Sequence, residues 1–436
     1  MQCRFPAIAG LGYEKRCFLT AGSEVFLYLC SMEMLPGYSD IIKAQLRLKG
    51  IVKNTPLERS KSFSAMTGAN VFMKLENLQS TGSFKVRGAY NKLSCLSKDD
   101  LQQGVVCASA GNHAQGVAFA ASTMGVRAKV FMPVFTPPLK VIATRSYGAD
   151  VVLEGDTFDD AFEAAVQYKE ASGATFVHPF DDPHIIAGQG TVGLELFQAM
   201  DSIQDVLVPI GGGGMIAGIA IALKEMNPDI RIIGVEAAGA QSMKHSIHSG
   251  SPQKLTNMQT IADGIAVKTP GNLTFKAVQA YLDDILVVND AEIANTVYML
   301  LQRAKILAEP AGVAAMAAVL HNKMNLAGRN VVAVISGGNI NMGILEQILE
   351  KGMMDEGLRA RIAVLIPDVA GELRSIISIL ENLRANINEI SHERSITTVP
   401  VGFVEVTITF NLQETAQLDA IRKALDGKMK KYEILR

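Results

Sequence analysis

The chain has 436 residues, 48% hydrophobic and 19% charged, which is apolar material for large cores and length for two or three domains. A formal net charge of -2 provides no basic field of the kind a phosphate backbone demands, which argues against nucleic acid as a partner. Five cysteines (Cys3, Cys17, Cys30, Cys95 and Cys107) have neither paired nor zinc-type spacing, which argues against a disulfide framework or structural metal and fits a reducing cytoplasm.

Residues 1–35 mix aromatic, cysteine and glycine residues without a clean period and are set apart as an N-terminal extension, with Met32 or Met34 as alternative starts. Their most apolar stretch, FLTAGSEVFLYLC at 18–30, is interrupted by Glu24. It is too short to span a bilayer and lacks a signal-cleavage pattern, so no membrane association is expected. A targeting leader is the less favoured alternative, because Glu14 and Glu24 sit among few basic residues. From Met32, MEMLPGYSDIIKAQLRLKGIV takes on a helical period.

From about residue 50 to 350, short β-branched runs alternate with helical stretches: GVVCAS (104–109), AKVFMP (128–133), DVVLEG (150–155), DVLVPI (205–210), RIIGVEA (231–237) and NVVAVIS (330–336). Fully apolar strands separated by helices mark parallel sheets covered on both faces, so the expected class is α/β with open sheets. Ligands of such sheets sit at the carboxyl ends of strands. KGMMDEGLRA (351–360) is a polar, glycine-containing linker. After it, RIAVLIP (361–367), GELRSIISILENLRA (371–385), NINEISHERS (386–395), GFVEVTITFN (402–411), ETAQLDAIRKAL (414–425) and a short strand near YEIL give a ferredoxin-like βαββαβ order.

Four stretches carry chemistry. In QSTGSFKVRGAY (79–90), Lys85 stands at a helix start, where the positive end of the dipole and partial burial favour the neutral amine that attacks carbonyls. A solvated helix lysine is the ordinary alternative. In SAGNHAQG (109–116), small residues bring backbone N–H groups within reach of an anion, and Asn112 and His113 add neutral hydrogen-bonding groups. A substrate carboxylate is the natural guest, and a helix start capped by Ser109 or Asn112 is the bland explanation. In GGGGM, Gly211, Gly212, Gly213 and Gly214 precede Met215 and a helix, so successive N–H groups and the dipole form a phosphate cradle. The loop lacks the Gly-Lys-Ser/Thr of a Walker motif and the ribose-binding acid of a dinucleotide fold. In SGGN (336–339), Ser336 offers a hydroxyl to a ring nitrogen, with a helix cap as the alternative. Together these features ask for a phosphate, a pyridine ring and an aldehyde, the groups of pyridoxal phosphate held on a lysine.

In this order and after these strands, the four motifs closely resemble those of fold-type II pyridoxal-phosphate enzymes, the tryptophan synthase β-like class. The specific likeness is to threonine/serine dehydratases. QTIADGIAVKTPG (259–271) and LAEPAGVAA (307–315) share it, so the likeness spans about residues 38–345. It implies a catalytic domain over 36–350 made of two α/β subdomains. Lys85 would be the Schiff-base lysine and Phe84 would lie against the cofactor ring. Asn112 would bond the phenolic oxygen, Gly211 to Met215 would hold the phosphate, and Ser336 would face the pyridine nitrogen. Ser109, Ala110, Gly111, Asn112 and His113 would bind substrate. The implied reaction is deaminating dehydration of L-threonine to 2-oxobutanoate and ammonia, and of L-serine to pyruvate.

β-Replacement enzymes carry a T-S-G-N-T type loop instead, and racemases a serine in the place of Ala110. A catalytically inactive amino-acid sensor is the remaining alternative. Glu236, Ala240 and Ser242 occupy the cation-binding places of racemase-type relatives, but a second acid is missing, so no metal is expected. His178, His245 and His248 are placed in loops or on the surface. Residues 361–436 resemble the ACT family of amino-acid sensors, with the turn carrying Asp368, Gly371, Glu372 and Leu373 as effector site. Isoleucine or valine is the implied effector, and a homodimer or homotetramer the implied assembly.

Overall fold

The computed structural model describes residues 34–394, 399–428 and 431–435. The N-terminal extension expected over 1–35 lies, up to residue 33, outside them. The helical stretch expected from Met32 begins at Tyr38 and runs to Leu48, after an irregular entry over 34–37.

The strands, in chain order, are β1 (Leu57–Arg59), β2 (Asn70–Leu75), β3 (Val105–Ala108), β4 (Ala128–Met132), β5 (Asp150–Leu153), β6 (Thr175–Phe176), β7 (Asp205–Pro209), β8 (Arg231–Ala237), β9 (Asp284–Val288), β10 (Asn330–Ile335), β11 (Arg359–Pro367), β12 (Asn386–Glu393), β13 (Phe403–Asn411) and β14 (Tyr432–Leu435). They form three sheets. The large one has the order β1-β2-β10-β7-β8-β9, parallel except for β1, which pairs antiparallel with β2. The small one, β5-β4-β3-β6, is parallel throughout. The six apolar runs of the sequence become β3, β4, β5, β7, β8 and β10, whereas β1, β2, β6 and β9 were not anticipated.

Burial explains why these runs are strands. All five residues of β7 are buried, as parallel strands covered on both faces require. One face of the large sheet packs on the helix Pro310–Leu320 through a core that includes Val71, Val331, Ala333, Val313 and Met316. The other packs on the helix Gly214–Met226 through Val206, Val208, Val332, Ile216 and Ile219. The helix Pro183–Ala199 ties the two sheets together: Val192 and Leu196 enter the large-sheet core while Ile185 enters that of the small sheet.

The last sheet, β12-β13-β11-β14, is antiparallel. With the helices Glu372–Asn382 and Ala416–Asp426 it encloses its own core, including Ile362, Val364, Ile376, Val406 and Ile421, in the ferredoxin-like βαββαβ order. The stretch expected as a linker, 351–360, holds the end of the helix Met342–Asp355 and the first residues of β11. No described helix is long and apolar enough to cross a membrane.

Candidate active site

A cavity of about 640 Å³ opens between the large and small sheets, at the carboxyl ends of β3, β7 and β10. Phe84, Lys85, Ser109 to His113, Gly211 to Met215 and Ser336 all line it. The structure thus brings together every catalytic, cofactor and substrate residue expected from the sequence. Asp368, Gly371, Glu372 and Leu373 lie apart from it, in the turn between β11 and the helix Glu372–Asn382. There Asp368 accepts from Arg394 Nε and Nη2 at 2.7 and 3.0 Å.

Lys85 is the first residue of its helix, which runs to Ser94. The helix is anchored from beneath by buried Arg87, which donates to both oxygens of Glu76 and of Glu195. Burial pushes the Glu76 carboxyl up, but Arg87 and Lys74 outweigh it and hold the group below the usual carboxylate range. Lys85 Nζ itself has no carboxylate within salt-bridge distance among the described residues. It donates to Pro179 O at 2.8 Å and lies 5.2 Å from the Phe84 ring centroid. Burial lowers its amine to about 8, with the Glu309 carboxylate opposing the shift. A substantial share of neutral amine is therefore present at physiological pH.

The glycine turn follows β7. Gly213, at φ 92°, turns the chain into the helix Gly214–Met226, and among the described residues no acceptor meets the N–H groups of Gly211, Gly212 and Gly213. A Cβ at Gly212 would lie 2.2 Å from the Phe180 ring. A row of free donors at the head of a long buried helix is a cradle for a dianion, so the structure fits a phosphate here. The loop at 109–113 heads the helix Asn112–Met124; there the Ser109 N–H donates to Phe131 O and the Gly111 N–H to Ser109 Oγ, leaving those of Ala110, Asn112 and His113 without an acceptor among the described residues.

His113 and His178 are both neutral. Burial, with Lys85 nearby, lowers His113 to about 3, and burial lowers His178 to about 4. His178 stands in a loop, one of the two placements expected from the sequence, but not at the surface. It lines the cavity, and its Nδ1 accepts from the N–H groups of Phe180 and Asp181 at 3.2 and 2.7 Å, so the ring proton sits on Nε2. This holds the turn that presents Pro179 O to Lys85. Asp181, in the same turn, accepts from the N–H groups of Asn272, Leu273 and Thr274, and Thr274 Oγ1 donates to Gly212 O at 2.6 Å. His245 and His248 are exposed on the helix Ser242–Ser249. Glu236 caps that helix, accepting from the N–H groups of Met243 and Lys244, and burial lifts its carboxyl to about 7.

Sequence reasoning missed Glu309 and Asn339, which also line the cavity. Across its mouth, Lys140 pairs with Asp263 and Lys268 with Asp159, both at 2.7 Å.

Residues 48–337 match the family of pyridoxal-phosphate dependent enzymes. Together with the lysine, the glycine cradle and the cavity between two parallel sheets, this places the chain in that family. Among curated relatives, it is 45% identical to an L-threonine ammonia-lyase of Thermotoga maritima over 389 residues, 89% of this chain and 97% of that one. Among solved structures, the processed form of threonine deaminase isoform 2 from Solanum lycopersicum superposes with a TM-score of 0.68 at 38% identity, over 73% of this chain and 95% of that one. Maize serine racemase does so with a TM-score of 0.69 at 35% identity, over 73% and 98%.

Proposed function

We propose that the protein is a threonine ammonia-lyase that converts L-threonine to 2-oxobutanoate and ammonia, and L-serine to pyruvate and ammonia. The observation that carries this is the convergence of Lys85, the glycine turn, the 109–113 loop and Ser336 on one cavity, in a chain akin to L-threonine ammonia-lyases. Pyridoxal phosphate, when bound, supplies the electron sink for the pair left at the substrate α-carbon. The chain would hold it through Lys85, the N–H groups of Gly211 to Gly214, Asn112 at the phenolic oxygen, Ser336 at the pyridine nitrogen and Phe84 against the ring.

Backbone N–H groups of residues 109–113 would bind the substrate carboxylate and orient the α-hydrogen toward Lys85. Lys85 Nζ, lowered by burial, takes that proton, and the β-hydroxyl departs with its bonding pair; that same proton converts it to water and returns the amine to its neutral form. Water returns when nitrogen is released, so the net change is one amino acid to one oxo acid and ammonia. A hydroxyl rather than a carboxylate at Ser336 would leave a pyridine held there largely unprotonated. That weaker sink suits an elimination, which discharges its electrons promptly. Ala110 has no proton to deliver to the opposite face of the substrate, which weighs against racemisation.

The test is release of ammonia and oxo acid from L-threonine and L-serine by wild type and Lys85→Ala, with visible absorbance recorded alongside. Wild type is expected to form 2-oxobutanoate, and Lys85→Ala to lose about a thousandfold or more in rate. Bound cofactor with no oxo acid from either substrate would overturn the assignment.

Residues 361–436 act, in this proposal, as an ACT sensor for isoleucine or valine in a homodimer or homotetramer. The antiparallel βαββαβ order supports it, as does the turn at Gly371, where φ is 103° and a Cβ would meet nothing within 4 Å. Kinetics that do not respond to either amino acid would remove this part. The cysteine usage supports a cytoplasmic setting.

A further inference from the structure

The amide of Asn112 is held from both ends. Its Oδ1 accepts from Asn339 Nδ2 at 2.7 Å, and its own Nδ2 donates to Glu309 Oε1 at 2.6 Å. Asn339 is steadied in turn, because its Nδ2 also donates to Thr81 O at 2.9 Å. The two contacts decide which end of the Asn112 group is nitrogen. A primary amide has two N–H bonds in one plane, so using one of them fixes the direction of the other.

Glu309 is a costly way to achieve this. It stands directly before the apolar helix Pro310–Leu320 and is only 6% exposed. Among the described residues, the donor its carboxylate meets is the Asn112 amide. A buried charge with one neutral partner is unfavourable, and a glutamine would satisfy the same N–H without it. Room has been left for this group: a Cβ at Gly337 would lie 2.3 Å from Glu309 Oε1. The groups that act on Glu309 come from several elements. Burial first, and Asp263 from the turn 263–265, raise its carboxyl to about 7; Asn112, Lys140 and Lys85 pull it the other way.

We propose that Glu309 is a positioning residue for the cofactor: with Asn339 holding the opposite end, it aims the free N–H of Asn112 at the phenolic oxygen. Its negative charge also steadies the proton on the Lys85 nitrogen. The inference rests on the pyridoxal-phosphate assignment above and adds Glu309 and Asn339 to the residues that serve the cofactor.

Three forms of the full-length chain, each freed of cofactor before reloading, test it: wild type, Glu309→Gln and Glu309→Leu. Each is titrated with pyridoxal phosphate, and the visible absorbance and circular dichroism of bound cofactor are followed against pH. Glutamine keeps the acceptor and removes the charge. Its affinity and dichroism should stay within about twofold of wild type, while the pH midpoint of the visible band falls by about one unit, because no anion holds the proton. Leucine removes both, so most of the visible dichroism should disappear and binding should weaken roughly tenfold. A glutamine variant that titrates like wild type overturns the proposal whatever the leucine variant does, because loss in leucine alone is what a packing role would give. A wild type that develops no visible band with saturating cofactor overturns the cofactor assignment and this inference with it. A wild type that does so normally, beside an unmoved glutamine variant, overturns the inference alone.

Discussion

The cradle depends on what Gly212 lacks. An alanine Cβ would collide with the Phe180 ring at 2.2 Å, so Gly212→Ala must move either the loop or the ring. Overpacking of this kind costs about 1 to 3 kcal/mol, and cofactor affinity should fall roughly five- to a hundredfold in an absorbance titration. Lys85 gives a prediction of opposite character. With its amine lowered to about 8, the rate of cofactor uptake by the apoprotein should climb with pH and level off above about 8, because only the neutral amine attacks. Arg87→Ala should leave Glu76 and Glu195 buried without their guanidinium. Denaturant unfolding should then show a loss of about 3 to 5 kcal/mol. The sequence showed Lys85, the glycine run and Ser336 because each stands in a compact motif. Glu309 and Asn339 lie within quoted stretches, LAEPAGVAA and SGGN, but the residue they act on, Asn112, is 197 and 227 residues away, and spacing does not reveal such contacts. His178 acts locally, on the N–H groups of Phe180 and Asp181, and only the fold brings that turn to Lys85. One signal for Glu309 was present, a lone carboxylate opening the apolar run Pro310–Leu320.

Among the elements, the helix Asn272–Tyr281 owes its start to Asp181, whose carboxylate accepts from three successive N–H groups. Asp181→Ala should cost about 1 to 2 kcal/mol in a denaturation experiment. It should also weaken cofactor binding, because Thr274 in the same turn is bonded to Gly212 O. The strands show where local sequence stops being informative. β7 and β10 are uninterrupted apolar runs and are legible as buried parallel strands. β2 is also an inner strand of the sheet, beside β10, yet Lys74 interrupts its apolar run. That lysine is buried, donating to Glu195 Oε2 at 2.6 Å and Thr55 O at 2.7 Å. Its compensation comes from a helix more than a hundred residues away, so the local pattern points to a surface. β6 is two residues long and β9 is half-buried, and both are strands through pairing with β3 and β8 rather than through their own composition.

For the molecule as a whole, two acids set a pH response. Glu236 and Glu309 both stand at about 7 in the fold against 4.5 in the open chain. Between those values the folded protein binds more protons than the unfolded one, so stability from these groups is present below 4.5 and is lost as pH rises to about 7. His113 and His178, lowered to about 3 and about 4, act in the opposite direction below 6.5, so the contribution of Glu309 is read by difference: as pH rises from 4.5 to about 7, the denaturant midpoint of the wild-type apoprotein should fall relative to that of Glu309→Gln. The α/β class was legible at this scale, and two α/β subdomains were implied by the resemblance, but the membership of each sheet was not, because it depends on which strands pair. The pairing of β2 with β10 joins residues 70–75 to 330–335, and it places Ser83 in a bridge with Gly337. On a ribosome, β3 to β6 are all available once Phe176 has emerged, whereas the gap between β2 and β7 stays open until Ile335 emerges, roughly 8 to 30 s later. From the emergence of Pro209 until then, the edges of β2 and β7 that β10 will join stand unpaired in the nascent chain. The pocket's final wall arrives with the strand that closes them, so capture of the cofactor and escape from aggregation fall at the same moment of synthesis.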